Sequence, residues 1–308
     1  MNRFHYRDKN TSIHQLNPLC KLYWIIIVSL IALFFDHPLY LLFLFGSTLP
    51  VVISAGVLRE WAGFLKYSLY LCLLIIVFNV LVSRYGTHIL WQAPFHLPVL
   101  GSPSVTLEAL VFGFGMSLRL LTVISAFSLF TLTIHPDDLI QSLLKVKMPY
   151  KSILVASLCL RFIPVLIADA SQISAIQSSR GLELDRGHIW QKIKNRSAVI
   201  IPLLSNSLDR TVQIAEAMES RAFGSGSQRS FYKIIKLSRL DLVILVVSFT
   251  AVVLAVIMRL EKLGAYTYYP TLENILLSGW ELGGLILLLV LLESIVPLAI
   301  LKKRLIFD

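Results

Sequence analysis

The sequence predicts an all-α, polytopic membrane protein with about six transmembrane helices and two long, crossed helices on the cytoplasmic side. Three observations support this fold class. Of 308 residues, 56% are apolar and only 15% are charged, whereas soluble domains carry roughly 25% charged residues. The apolar residues are concentrated in long runs. The basic residues lie almost entirely between alternate runs.

Six apolar runs are the candidate spans, in chain order 22–35, 39–58, 64–82, 106–133, 241–258 and 280–301. A spanning helix needs roughly 17–25 mostly apolar residues, and only the first run is shorter than this. The first two runs are separated by the turn Asp36-His37-Pro38. No small-residue cleavage site precedes the first run, so we expect the N-terminus to be retained.

The distribution of Lys and Arg predicts the orientation. With the N-terminus inside, the inner segments 1–21, 59–66, 134–239 and 302–308 hold 24 of the 28 basic residues. The opposite orientation would place them outside, against the positive-inside rule. We therefore expect both termini to be cytoplasmic. The net charge of +10 is then a topological signal rather than a sign of nucleic-acid binding.

The same pattern divides the chain into three parts. Residues 1–133 hold spans one to four, residues 134–239 form a cytoplasmic-side helical region, and residues 240–308 hold spans five and six. The stretch 152–168 is apolar except for Arg161. A crossing there would export the basic residues that follow, so we assign this stretch to the cytoplasmic side. Its apolar surface then needs cover from neighbouring helices, the membrane interface or a partner.

Residues 134–239 contain two long helical patterns, about 150–179 and about 190–221, the second interrupted at Pro202. Before these two patterns, Pro136, Asp137 and Asp138 suit the first turn of a short helix. Small residues recur every four positions on both long helices, a spacing that allows close helix crossing. These predicted helix-crossing rows are Ala170, Ser174 and Ser178, and Ser207, Thr211 and Ala215.

Both long patterns end in Ser-Arg followed by a small residue: Ser179-Arg180-Gly181 and Ser220-Arg221-Ala222. Gly181 suits the left-handed residue that ends a helix. Ala222 does not, so we expect the second helix to continue past Arg221 towards Gly224. A cation at a helix C-terminus is favourable in itself. Two arginines in the same local frame favour a paired binding device, because a guanidinium can hold a carboxylate or carbonyl bidentately.

Arg119 lies within the fourth predicted span, where a charge is costly unless it is paired or faces water. Arg119 and Glu293 each lie 13 residues into spans that run in the same direction. Both are therefore about 20 Å deep at 1.5 Å per residue. We predict that they form an intramembrane ion pair; the alternative is that Arg119 faces the cytoplasmic region or snorkels to the interface.

No residue pattern indicates catalysis. Cys20, Cys72 and Cys159 have neither disulfide nor metal-ligand spacing, and no phosphate-binding G-x-x-x-x-G-K-[ST] occurs. The sequence therefore predicts no catalytic residue, no metal site and no cofactor.

Five stretches together resemble a known family: HQLNPLCKL (14–22), SLRLL (117–121), HPDDLIQSLLKVKMPYK (135–151), LRFIPVLIADASQISAIQSSRG (160–181) and PLLSNSLDRTVQIAEAMESRAFG (202–224). They are similar to the T component of energy-coupling factor transporters, the membrane scaffold of vitamin- and metal-uptake ABC importers. The family's two signature triplets are usually Ala-Arg-Gly. Here both begin with Ser, and the second ends with Ala222.

This resemblance implies a non-catalytic subunit in a prokaryotic cell membrane. Two cytoplasmic ABC ATPases, identical or paralogous, would each accept one Ser-Arg helix end. Their ATP-driven motion would reach a small membrane-embedded S component that binds a vitamin, a precursor or a metal ion. The resemblance indicates neither the cargo nor whether the scaffold serves one S component or several.

Two other classes remain as alternatives. A self-sufficient secondary transporter would place converging polar groups in the broken helices of an internal repeat, and the sequence contains no such repeat. A membrane-embedded hydrolase could use His135, Asp137 and Asp138, although these residues better suit a helix start.

Overall fold

A computed structural model describes residues 9, 11–83, 86–92, 104–146, 148–182, 188–226 and 237–307. The chain divides into two compact units. The first unit combines residues 1–139 with residues 236–308, and the second comprises residues 140–235. The second unit is therefore an insertion in the sequence of the first.

The first unit is built from apolar helices with one short antiparallel strand pair among its described residues. Its elements are α1 (Pro18–Phe34), α2 (Pro38–Ala55), α3 (Leu58–Val82), β1 (Ile89–Gln92), β2 (Ser104–Thr106), α4 (Leu107–Thr133), α8 (Arg239–Leu260), α9 (Gly279–Glu293) and α10 (Ile295–Phe307). A short helix, α5 (Pro136–Ser142), begins in the first unit and ends in the second. In the strand pair, Ile89 lies opposite Thr106 and Trp91 opposite Val105.

Helix starts in this unit follow the capping chemistry of the sequence. Asn17 accepts a hydrogen bond from the Leu19 amide at 3.0 Å, and Pro18 takes the first position of α1. His37 caps α2 in the same way, with Nδ1 3.2 Å from the Leu39 amide. Ser238 and Ser278 begin α8 and α9 with reciprocal capping boxes. These residues set where each helix enters the bundle.

The core of the first unit lies around α4. This helix packs mainly against α1, α2 and α3, while α9 packs mainly against α8 and α2. The fully buried side chains include Trp24, Ile31, Leu129 and Leu288. Buried Lys21 donates to the carbonyls of His14 (3.0 Å) and Thr133 (2.9 Å). It thereby ties the chain ahead of α1 to the end of α4.

The last apolar run forms two consecutive helices, α9 and α10, that meet at Ser294. Pro297 explains the break, because it lacks an amide donor and its ring clashes with the carbonyl four residues earlier. That carbonyl belongs to Glu293, the last residue of α9.

The second unit consists of a 3₁₀ turn (Leu143–Val146) and two long helices, α6 (Tyr150–Ser179) and α7 (Ile189–Ser220). Both match the predicted patterns closely. The interruption expected at Pro202 does not end α7, which stays helical through that residue.

The predicted fold class, an all-α polytopic membrane protein, is confirmed. Six helical segments are long and apolar enough to span a membrane: α2, α3, α4, α6, α8 and the continuous stretch Gly279–Leu305. By this criterion α6 qualifies, and α1, with 17 residues, is a shorter apolar helix. The assignment of α6 to the cytoplasmic side and the three-part division of the chain stay predictions.

Candidate functional site: two arginine-capped helix ends

The candidate site is built on α6 and α7, which lie antiparallel. The rings of Tyr150 and Phe223 are 6.3 Å apart. Asp169 pairs with Arg210 at 3.1 Å. Gln177 Nε2 donates to the Ala198 carbonyl at 3.3 Å. Partner numbers fall along α7 as they rise along α6, so the two arginine ends lie at opposite ends of the pair. The 30 residues of α6 span about 45 Å, which is the approximate separation of the ends.

The first arginine end is a Schellman motif. Arg180 is the C-cap of α6, with φ −82° and ψ 5°, and Gly181 follows with φ +85°. The Leu182 amide donates to Gln177 O at 3.1 Å, and the Gly181 amide donates to Ser178 O at 3.0 Å. These two bonds satisfy carbonyls that the helix would otherwise leave open.

The second arginine end has the same geometry. Arg221 is the C-cap of α7, with φ −89° and ψ 14°. The Phe223 amide donates to Met218 O at 2.9 Å, and the Ala222 amide donates to Glu219 O at 2.8 Å. Both arginines are exposed. The two ends therefore present a guanidinium from the same position of the same motif.

The expectation that Ala222 would let the second helix run past Arg221 is wrong. Ala222 itself takes the left-handed conformation, with φ +55°, and α7 ends at Ser220. The left-handed conformation costs an L-residue roughly 1–2 kcal/mol in conformational free energy. The two Schellman hydrogen bonds and the ring contact of Phe223 with Tyr150 offset that cost. Gly224 is also left-handed, with φ +92°, and continues the turn.

An open groove of about 540 Å³ lies beside the second arginine end. It is lined by Ala215, Met218, Glu219, Ala222, Phe223 and Ser225. The apolar atoms of Met218 and Phe223 with one carboxylate nearby suit an apolar side chain better than a small polar ligand.

The predicted helix-crossing rows are only partly on the surface between α6 and α7. Ala170, Ser174 and Ser207 are half-buried, whereas Ser178, Thr211 and Ala215 are exposed. The Asp169–Arg210 ion pair and the hydrogen bond of Gln177 join the two helices at positions outside these rows. The crossing role of the two rows stays a prediction.

The predicted pair between Arg119 and Glu293 is wrong, because Arg119 pairs with Asp36. Its Nη2 lies 2.7 Å from Asp36 Oδ1 and 2.9 Å from the Phe35 carbonyl, and its Nε lies 3.1 Å from the Ala32 carbonyl. Glu293 is exposed. Equal depth does not make two helices neighbours, and α4 packs mainly against α1, α2 and α3.

The length of α1 explains why Arg119 is needed there. α1 has 17 residues and α4 has 27, so α1 ends beside the middle of α4. The last carbonyls of a helix lack intrahelical donors, and a cation at that end is favourable. Arg119 supplies both donors and charge to the end of α1.

Asp36 is the centre of a cluster that sequence reasoning missed. Its second carboxylate oxygen accepts from Arg259 at 3.0 Å, and its carbonyl accepts from the hydroxyl of Tyr268 at 2.5 Å. Burial raises the pKa of Tyr268, so the phenol remains a donor. Burial also lowers the pKa of neighbouring His37, although the carboxylates of Glu281 and Glu273 oppose that shift. In the sequence, the one signal of this cluster was the shortness of the first apolar run, which ends just before Asp36.

A second missed pair joins the start of α8 to α10. Lys302 Nζ lies 2.7 and 2.8 Å from the two oxygens of Asp241, whose side chain is 0% exposed. Asp241 Oδ2 also accepts from the Ser238 amide at 2.9 Å. The Ser238-x-x-Asp241 spacing is a capping signature, but it does not indicate the lysine 61 residues away.

In the part of the chain that the structure describes, no group of three or more His, Cys, Asp or Glu residues could hold a metal ion. Cys20 and Cys72 are buried and Cys159 is exposed. The arrangement around Arg180 and Arg221 is suited to binding a macromolecular partner, because it combines exposed cations with apolar surface.

Comparison with known proteins yields a family match and several relatives. Residues 9–232 match the family CbiQ, described as cobalt transport protein. The chain is 31% identical over 230 residues to the energy-coupling factor transporter transmembrane protein EcfT of Streptococcus thermophilus, covering 72% of this chain and 84% of the relative. EcfT of Acidaminococcus fermentans is 31% identical over 239 residues (73% and 84% coverage). EcfT of Bacillus selenitireducens is 27% identical over 266 residues (81% and 94% coverage).

Proposed function

The chain belongs to the CbiQ family of cobalt transport proteins and is a transmembrane component of an energy-coupling factor transporter, and from this premise we propose that it is the coupling subunit. It transmits the motion of two cytoplasmic ABC ATPases to a substrate-binding S component. Uptake of a vitamin, a precursor or a metal ion results. The chain has no ATPase chemistry of its own, and its partners supply the hydrolysis.

The observation that carries this proposal is the equivalence of the two arginine ends. Arg180 and Arg221 occupy the same cap position of the same motif, and both are exposed. A guanidinium held at the tip of a rigid helix can bind a carboxylate or a carbonyl bidentately. Two equivalent anchors suit a partner with two equivalent pockets, such as a pair of ATPase subunits.

The antiparallel packing of α6 and α7 supports a mechanical role. Each end of the pair carries one arginine, about 45 Å from the other over the 30 residues of α6. The Asp169–Arg210 ion pair and the Gln177 contact join the helices between the ends. When nucleotide binding moves the two ATPases towards each other, both ends move and the joined helices transmit the displacement.

The S component docks on the apolar surface of α6 in this proposal. Val155, Ile163 and Ile167 are 58%, 49% and 65% exposed. A contiguous exposed apolar patch of this kind marks a surface that binds a protein or a membrane. A small membrane protein resting there would feel any displacement of α6. In the same proposal α6 lies on the cytoplasmic side and both chain termini are cytoplasmic, since the basic residues follow the positive-inside rule.

Substitution of the two arginines tests the proposal. The tagged chain is co-expressed with its ATPases, and assembly and ATP-driven uptake are measured for Arg180→Ala, Arg221→Ala and the double change. We expect loss of ATPase association in the double variant, with unchanged thermal stability of the membrane fold. Arg304→Ala, at an exposed position of α10, controls for the loss of one positive charge.

Lysine variants separate binding from a helix-terminus effect. Arg180→Lys and Arg221→Lys keep the cation at the helix end but lose the bidentate fork. We expect them to assemble poorly as well. Full activity of the lysine variants, unaltered uptake in the double alanine variant, or transport by the purified chain alone would each contradict the proposal.

A further inference from the structure

Helix α7 exposes a second apolar face that the contact with α6 leaves uncovered. The exposed fractions are 77% for Trp190, 56% for Ile193, 66% for Ile201, 57% for Leu204 and 67% for Leu208. At 100° per residue these positions fall within one stripe about 100° wide. Buried Val199 and ion-paired Arg210 lie on the opposite side of the helix.

Charge divides α7 into two halves. The first half, residues 189–204, carries Lys192, Lys194 and Arg196 and no carboxylate. The second half, residues 205–220, carries three carboxylates, Asp209, Glu216 and Glu219, and one cation, Arg210, which pairs with Asp169. An apolar protein surface would bind both halves of α7 without regard to their charge, but an anionic surface would attract only the basic first half.

We propose that the first half of α7, Ile189–Leu204, lies in the headgroup region of the bilayer and binds anionic lipid. An interfacial helix combines an apolar stripe containing Trp with basic residues on its flanks, and Trp is enriched at the membrane interface. Lys194 and Arg196 flank the stripe on either side, so their stems can lie along the bilayer surface while their charges reach headgroups.

The carboxylates of the second half are repelled by the same headgroups. That half therefore stays in water, where its continuation of the stripe is left for a protein partner. This inference does not depend on the ATPases or on the S component. The lipid contact would hold the Arg180 end of the α6–α7 pair at the membrane surface, and movement along that surface leaves both arginine ends able to bind partners.

Spin-label accessibility in the full chain tests the inference. A nitroxide is attached at Ile193→Cys or Leu204→Cys in a Cys159→Ser background, because Cys159 is the exposed native cysteine. The chain alone is reconstituted in nanodiscs that contain phosphatidylglycerol, without nucleotide. Oxygen and nickel accessibilities then report depth. A label at Glu216→Cys is the matched aqueous control on the same helix, and a label at Leu73→Cys, 65% exposed on α3, is the lipid control.

We expect the labels at 193 and 204 to favour oxygen over nickel several-fold, unlike the label at 216. Replacing phosphatidylglycerol with phosphatidylcholine, or changing Lys192, Lys194 and Arg196 together to Gln, should move both labels towards water.

Water exposure of the two labels in the chain alone would overturn the inference. Shielding that appears only after addition of a membrane partner would also overturn it, in favour of a protein-docking face. Equal depth in neutral lipid would refute the role of headgroup charge. Because no ATPase is present, these outcomes are independent of the arginine test.

Discussion

Replacing Lys302 by methionine should destabilise the protein by about 3–5 kcal/mol, because it strands a buried carboxylate. Asp241 has no exposed side-chain surface. Among the described residues its carboxylate accepts three hydrogen bonds, and two of them come from Lys302 Nζ, at 2.7 and 2.8 Å. Methionine has a similar length but no donor, so only the Ser238 amide at 2.9 Å remains.

The double change Lys302→Met with Asp241→Asn should be more stable than Lys302→Met alone, by about 2 kcal/mol. Asparagine removes the stranded charge, and its carbonyl oxygen can still accept from the Ser238 amide. Asp241→Asn alone leaves the mostly buried ammonium of Lys302 facing a neutral amide, so it should lie between the wild type and Lys302→Met.

The free energy of unfolding can be measured by SDS titration in mixed micelles, with the five tryptophans as the fluorescence signal. Arg304→Met is the matched control, since it removes a cation from an exposed position of the same helix and should change stability by no more than about 0.5 kcal/mol. The reasoning is refuted if the double variant is less stable than Lys302→Met. It is also refuted if Lys302→Met matches the control.

Two further predictions concern the turn between α1 and α2. Arg119→Gln should lower the free energy of unfolding by about 2–4 kcal/mol, because the carbonyls of Ala32 and Phe35 lose charged donors. Glu293→Gln should leave it unchanged, and an equal loss in both variants would contradict the assignment of Asp36 as the partner of Arg119. Burial lowers the pKa of His37, so the unfolded chain takes up the proton first, and wild-type stability should fall as the pH drops below about 6.5. His37→Asn keeps a cap acceptor for α2 and should flatten the change in melting temperature between pH 7.5 and 5.5, and parallel curves for the two proteins would rule out this role.

Hydrophobic runs and glycine placement were sufficient to predict most of the helices. The pattern from Tyr150 ends at Gly181 in the sequence, and the helix ends there in the structure. Such features are local, because they depend on residues within one or two turns.

Predictions failed where a distant contact decided the outcome. Ala222 adopts a left-handed conformation that its own side chain disfavours, and the contact of Phe223 with Tyr150 lies 73 residues apart in the chain. Arg119 was correctly identified as needing a partner, but the choice of Asp36 over Glu293 depends on which helices are neighbours. No spacing within the sequence reports that adjacency.

The insertion of the second unit into the first has a consequence for synthesis on the ribosome. Trp24 donates to the Leu292 carbonyl, 268 residues later, and Tyr40 donates to the Glu281 carbonyl, 241 residues later. At about 5–20 residues per second, the first helices wait roughly 10–50 s for these acceptors, while the entire second unit is being made. Premature termination after residue 235 would therefore leave the early helices with donors directed at helices that never arrive. Such a fragment should be a substrate for membrane quality control rather than a smaller working scaffold.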